Sequence, residues 1–113
     1  MYPKNVPTEQ AIITLASILE GEAKTEVDMK IVSGVLQKRL AMGMRLQVDV
    51  APVTYDKTGL PDVPIASPGI MALTAAFNPI VTNYTYYLTG KDGTMHYAKT
   101  FEEHKKNIAK YLR

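Results

Sequence analysis

Of the eleven acidic side chains in this sequence, Glu22 is the one whose setting could do chemistry. It continues a helical face otherwise made of Ala11, Leu15 and Ile18 (or Leu19). A carboxyl at the edge of an apolar face is partly desolvated, which disfavours its charged form. It also falls in the last turn of its helix, where the negative end of the dipole pushes the same way. Burial against Leu15 and Ile18 is thus expected to lift its pKa above the ordinary glutamate value of about 4.3. A carboxylic acid that stays protonated near neutral pH can protonate a leaving group. The plain alternative is an exposed glutamate just past the stripe, and pattern alone favours that.

Cleavage of a glycosidic bond commonly uses a second acid at about 5–10 Å. The candidates are Glu20, Glu26, Asp28 and Asp49. Glu20 points about 160° away from Glu22 at ~3.6 residues per turn. Glu26 and Asp28 read as first-turn acids that favour a helix start. Asp49 follows Gln47 at a spacing of two, so on a strand both face one side. No clear acid pair emerges, which suits a one-carboxylate mechanism better than a two-carboxylate hydrolase. His96 and His104 read as packed, hydrogen-bonded residues, and no H-x-x-x-H or H-E-x-x-H spacing exists. No Gly-rich phosphate loop is present, and neither a metal nor a cofactor is expected.

The elements that must position these residues make an α+β fold: an N-terminal helix pair, a small antiparallel sheet and a C-terminal helix. Residues 1–7 read as an extended lead-in, and Thr8 as the N-cap of a helix over Glu9–Ala23. Thr25-x-x-Asp28 starts a second helix with Ile31, Val35 and Leu36 on its apolar face, ending near Met42–Gly43. Residues 44–50 alternate loosely and are read as a strand. Residues 51–69 hold four of the seven prolines and form a long ordered loop, of the kind that tends to be functional in small domains. A short helix follows over Ile70–Phe77, stopped by Asn78-Pro79. Strands are expected over Tyr84–Thr89 and Met95–Ala98 around a Gly90–Gly93 hairpin loop. There Tyr84, Tyr86, Tyr87 and Tyr97 are expected to pack across strands. Thr100-Phe-Glu-Glu103 is a capping box that opens the last helix.

Composition narrows the field. At 113 residues the chain is read as a single domain with room for one modest core. The absence of cysteine excludes disulfide scaffolds, thiolate zinc sites and cysteine nucleophiles. A net charge of +2 is too mild to argue for nucleic acid, though it is compatible with an anionic polymer. The basic side chains Lys30, Lys38, Arg39 and Arg45 are mixed with Asp28 and core positions, so a nucleic-acid binder ranks last. No apolar run reaches the ~18 residues that span a bilayer, and the N-terminal residues lack a secretion-signal pattern.

The segment Leu15-Ala-Ser-Ile-Leu-Glu-Gly-Glu22 resembles the catalytic signature of the YceG-like family, the endolytic murein transglycosylases. The resemblance continues in register. Arg39-Leu40 with Gly43-Met-Arg-Leu-Gln-Val-Asp49 is similar to the family's R-L-x-x-G-M-x-L-Q-x-D run. Gly59-Leu60-Pro61, Pro64-Ile65 and Ser67-Pro68-Gly69 are similar to its proline-rich loop. Asn78-Pro79 with Tyr84 and Tyr86 matches a further segment, and Gly93, His96, Lys99-Thr100 and Glu103-His104 match the closing pattern. Five motifs in order, over roughly residues 11–112, are far more specific than any one. Between Asp49 and Gly59 the chain is shorter than the family, keeping only Tyr55 and Thr58 as partial matches to a Tyr-Asn-Thr-Tyr element. The membrane anchor and LysM-like region that precede the family's catalytic domain are not in this sequence.

The resemblance implies an acid–base role for Glu22. It implies glycan strands of peptidoglycan as substrate, cut within their length by attack of the sugar's own C6 hydroxyl, leaving 1,6-anhydro-muramoyl ends. Gln47 and Asp49 would bind the N-acetyl group or orient Glu22, and Tyr55 would contact substrate; Asn78 reads first as a helix end, with a substrate contact as the alternative. Arg39 is expected to pair with a core acid rather than hold substrate. The resemblance further implies a location at the outer face of the bacterial cytoplasmic membrane and association with the cell-wall synthesis machinery. A competing class is a peptidoglycan-binding module that leaves the glycan uncut. Retention of Glu22 argues against it, because a pure binder needs no protonated acid.

Overall fold

The computed structural model describes residues 8–112, so the expected lead-in over residues 1–7 lies outside the described residues. Helix α1 spans Glu9–Glu22 and α2 Glu26–Ala41. A 3-10 turn over Pro52–Tyr55 and helix α3 (Ile70–Phe77) follow. Strands β1 (Tyr86–Thr89) and β2 (Met95–Ala98) and helix α4 (Phe101–Tyr111) complete the α+β order. The chain divides into two compact units, one running to Val81 and the other from Thr82.

In the first unit α1, α2 and α3 pack on one another. Thr8 caps α1 by accepting from the Ala11 N–H, and Thr25 caps α2 by accepting from the Asp28 N–H. The middle of α1, Thr14 through Leu19, is buried on every side and not on one stripe alone. Ser17 is tolerated there because its hydroxyl donates to the Thr14 carbonyl at 2.6 Å, satisfying a polar group that burial would otherwise leave costly. In α2 the buried apolar set is Met29, Val32, Val35 and Leu36, with Ile31 only half-buried. Buried Gln37 joins α2 to α3 by donating to the Ala76 carbonyl at 3.1 Å. Ala72, Ala75 and Ala76 let α3 approach its neighbours closely.

Helix α2 ends in a full Schellman motif. Met44 N–H bonds the Arg39 carbonyl at 2.9 Å and Gly43 N–H the Leu40 carbonyl at 3.2 Å. Gly43 carries φ +72°, a left-handed conformation that suits glycine.

The second unit is a two-stranded antiparallel hairpin with α4 packed on it. Its register pairs Tyr86 with Ala98 and Leu88 with His96. Tyr86 and Ala98, Leu88 and His96 therefore share one face. Tyr86 stacks on His104 of α4 and His96 on Tyr111, with centroids 5.1 and 3.4 Å apart. On the other face Tyr84 stacks on Tyr97. Tyr84, Tyr86, Tyr97, Tyr111 and both histidines are thus engaged in ring packing. β1 is shorter than expected. Tyr84 N–H bonds the Thr82 hydroxyl, and regular pairing with β2 begins only near Thr85. At the start of α4, Thr100 accepts from Glu103 N–H, but the Glu103 carboxylate reaches back to Lys99 N–H, one residue beyond the expected capping box.

Candidate active site

Glu22 is the last residue of α1 and is half-buried. The residue before it is what brings a partner segment alongside. Gly21 has no side chain, and a Cβ there would lie 2.9 Å from Val50 Cγ1. Val50 therefore rests on the end of α1, and the turn that carries it lies beside Glu22.

That turn, residues 46–55, is where the structure departs most from expectation. The strand read over residues 44–50 does not form. Burial does alternate, with Leu46 and Val48 inside and Gln47 and Asp49 exposed, but the partner is not a strand. Buried Arg39 reaches from α2 and donates through Nη1 to the Leu46 carbonyl, a structural role, though this partner is a backbone oxygen and not a core acid. Gln47 adopts φ +53°, unusual for a residue with a side chain, and its N–H bonds the Thr54 carbonyl. Thr54 is 1% exposed. Its hydroxyl accepts from Val48 N–H at 2.9 Å and donates to the Ala51 carbonyl at 2.7 Å. One threonine hydroxyl thus does for this segment what a neighbouring strand would have done.

The turn delivers Asp49 and Tyr55 to the same place. The Tyr55 hydroxyl donates to Asp49 Oδ1 at 2.6 Å. This bond, some loss of water and the negative charges of Asp49 and Glu22 push the phenol up to about 12, against a small opposing pull from Arg39. The ring is nonetheless 45% exposed, so the shift reflects the hydrogen bond to a carboxylate more than burial. Glu22, Asp49 and Tyr55 therefore share one electrostatic neighbourhood, with Arg39 behind them. A phenol held that high stays protonated at any ordinary pH. It can donate a hydrogen bond but cannot act as a nucleophile or base.

The other residues singled out in the sequence fall as follows. Gln47 is exposed on the same turn. Asn78 is the exposed C-cap of α3, its N–H bonded to the Thr74 carbonyl at 2.8 Å. Glu20 accepts from the Gly69 N–H at 2.8 Å and so holds the start of α3. Ser17, one turn earlier, accepts from the Ile65 N–H at 3.1 Å. Ser17, Glu20 and Gly21 form an i, i+3, i+4 face of α1. Along it the helix is pinned to both ends of the 50–69 segment, with Glu22 at its flank. The positioning roles of Ser17, Glu20 and Thr54 were not read from the sequence. A hydroxyl or carboxylate that bonds backbone far along the chain leaves no periodic trace. Among the described residues no group of three or more His, Cys, Asp or Glu is arranged to hold a metal ion, and no helix is long and apolar enough to cross a membrane.

A family model described as the YceG-like family matches residues 3–52 and 53–110. The chain belongs to the YceG-like family. Relatives agree with that placement. An endolytic murein transglycosylase of Bacillus subtilis (strain 168) is 30% identical over an alignment covering 96% of this chain and 36% of that protein. One of Streptococcus pneumoniae serotype 2 is 27% identical, covering 93% of this chain and 24% of that protein. The crystal structure of a YceG-like protein from Listeria monocytogenes superposes with a TM-score of 0.84 at 32% identity, covering 91% of this chain and 41% of that one. This YceG-like chain therefore spans between a quarter and two-fifths of the relatives it matches.

Proposed function

We propose that this YceG-like chain cuts the glycan strands of peptidoglycan within their length, as a lytic transglycosylase, with Glu22 as both acid and base. In the first step Glu22 gives its proton to the glycosidic oxygen between N-acetylmuramic acid and N-acetylglucosamine, and the bond from that oxygen to the anomeric carbon breaks. In the second, the Glu22 carboxylate takes the proton of the muramoyl C6 hydroxyl, whose oxygen closes on the anomeric carbon. The product is a 1,6-anhydro end, water is not consumed, and Glu22 is protonated again. Gln47 and Asp49 contact the N-acetyl group, Tyr55 belongs to the same substrate-binding turn, and Asn78 is a further substrate contact. The proposed setting is the wall outside the cytoplasmic membrane, in association with the machinery that builds it.

The observation that carries the reading is the pairing of Asp49 with Tyr55 beside Glu22. A hydrolase needs a second carboxylate to activate water. Asp49, the carboxylate on the neighbouring turn, has Oδ1 committed to Tyr55 and suits positioning better than proton abstraction. One carboxylate used twice fits that arrangement, and the relatives are endolytic murein transglycosylases.

The test is Glu22→Gln, which keeps shape but has no acid proton to give. Cleavage of purified peptidoglycan should fall by about 10²–10⁴-fold, the usual worth of a positioned acid–base group, while sedimentation with insoluble peptidoglycan persists. Wild-type binding without any new glycan ends would instead favour a non-catalytic binding module. Full activity in the variant would remove Glu22 from the mechanism.

A further inference from the structure

The Tyr55 hydroxyl has one proton, and the structure spends it. It donates to Asp49 Oδ1 at 2.6 Å, a short bond of the charge-assisted kind. Asp49 is itself exposed, so its second oxygen, Oδ2, is the one left to meet a ligand. The backbone around the pair is fixed. Buried Thr54, the residue before Tyr55, ties Val48 N–H to the Ala51 carbonyl around Asp49, and Arg39 holds Leu46. An aspartate on an open loop would turn freely about its side-chain bonds. Here one oxygen is tied down and both ends of the pair grow from a pinned turn.

We propose that Tyr55 is a positioning residue, which acts on the glycan through Asp49 and not by touching the sugar itself. It holds the Asp49 carboxylate in one orientation, with Oδ2 presented to a donor group of the substrate beside Glu22. This rests on the reading of the turn as part of a glycan site, and it alters one expectation: Tyr55 supports the contact that Asp49 makes. Preorganised hydrogen-bonding groups are worth more than mobile ones because less freedom is lost on binding.

The arrangement makes the two side chains a unit, and a double-mutant cycle reads that directly. Binding of soluble peptidoglycan glycan strands is measured by calorimetry in a Glu22→Gln background, where a loss of cleavage cannot be confused with a loss of binding. Tyr55→Phe removes one oxygen and Asp49→Asn keeps the side chain's shape. Both sites are exposed, and thermal unfolding of each variant checks that the turn survives. Each change should weaken binding by about tenfold, the scale of one hydrogen bond to a charged group. The double variant should be no weaker than Asp49→Asn alone. Losses that multiply would show that Tyr55 makes its own contact and would overturn the proposal. So would a Tyr55→Phe variant that binds like its parent, or a parent that does not bind the strands at all. Cleavage persisting in Glu22→Gln would count against the acid assignment and leave the binding comparison intact.

Discussion

Tyr55 and Asp49 stand six positions apart, and their bond gives the site a titration that can be followed on its own. The phenol is raised to about 12 from an unfolded value of 10.0. A group whose folded pKa is raised contributes stability that is fully present below the unfolded pKa and is lost as pH rises through the folded one. Here that window runs from about 10 to about 12, so the Tyr55 phenol stays protonated and able to donate to Asp49 at neutral pH. Spectrophotometric titration of the seven tyrosines should show a late-ionising component absent from Tyr55→Phe. In Asp49→Asn the hydrogen bond to a carboxylate, the largest cause of the shift, is gone, and the component should move back toward 10. A Tyr55 that ionises with the others in the intact chain would mean the bond does not persist in solution. Glu22, Asp49 and Tyr55 were all marked in the sequence, Glu22 by its place on an apolar face and the others through the family resemblance. Their pairing was not. It depends on a turn whose hydrogen bonds come from Thr54 and Arg39, and neither residue type announces such a role.

The elements that hold the site are α1 and the 46–55 turn, and Gly21 is where they touch. Alanine normally improves a helix over glycine by roughly 0.5–1 kcal/mol. At Gly21 the added methyl would sit 2.9 Å from Val50 Cγ1, and overpacking costs about 1–3 kcal/mol. The clash should win. Gly21→Ala is expected to lower the unfolding midpoint and to impair cleavage, because the Val50 side chain, and with it the turn beside Glu22, must shift to make room. Adding Val50→Ala removes the clashing group and should restore much of both. An unchanged melting temperature in Gly21→Ala would show that the turn does not rest on α1 as described. Helices α1, α2 and α3 were legible almost to the residue, because caps and breakers bound them: Thr8, Thr25, Gly43 and Asn78-Pro79. The 44–50 strand was misread because alternating burial is a property of any segment lying on a core. Only a backbone partner makes it a strand, and here the partner was a side-chain hydroxyl. β1 is two residues shorter than the sequence suggests, because Tyr84 has strand propensity but commits its N–H to Thr82.

At the scale of the whole molecule, the chain has the α+β order its sequence suggested and belongs to a family whose matched members are several times longer. The claim that joins its residues to that family is chemical: a single carboxyl cuts a sugar chain without water. Digestion of purified peptidoglycan in water enriched in heavy oxygen, followed by mass spectrometry of the released fragments, tests it most directly. If the C6 hydroxyl is the nucleophile, the new muramoyl ends are anhydro ends lighter by one water and carry no heavy oxygen. New reducing ends that each hold one heavy oxygen would show that water attacks, and would contradict the one-carboxylate account.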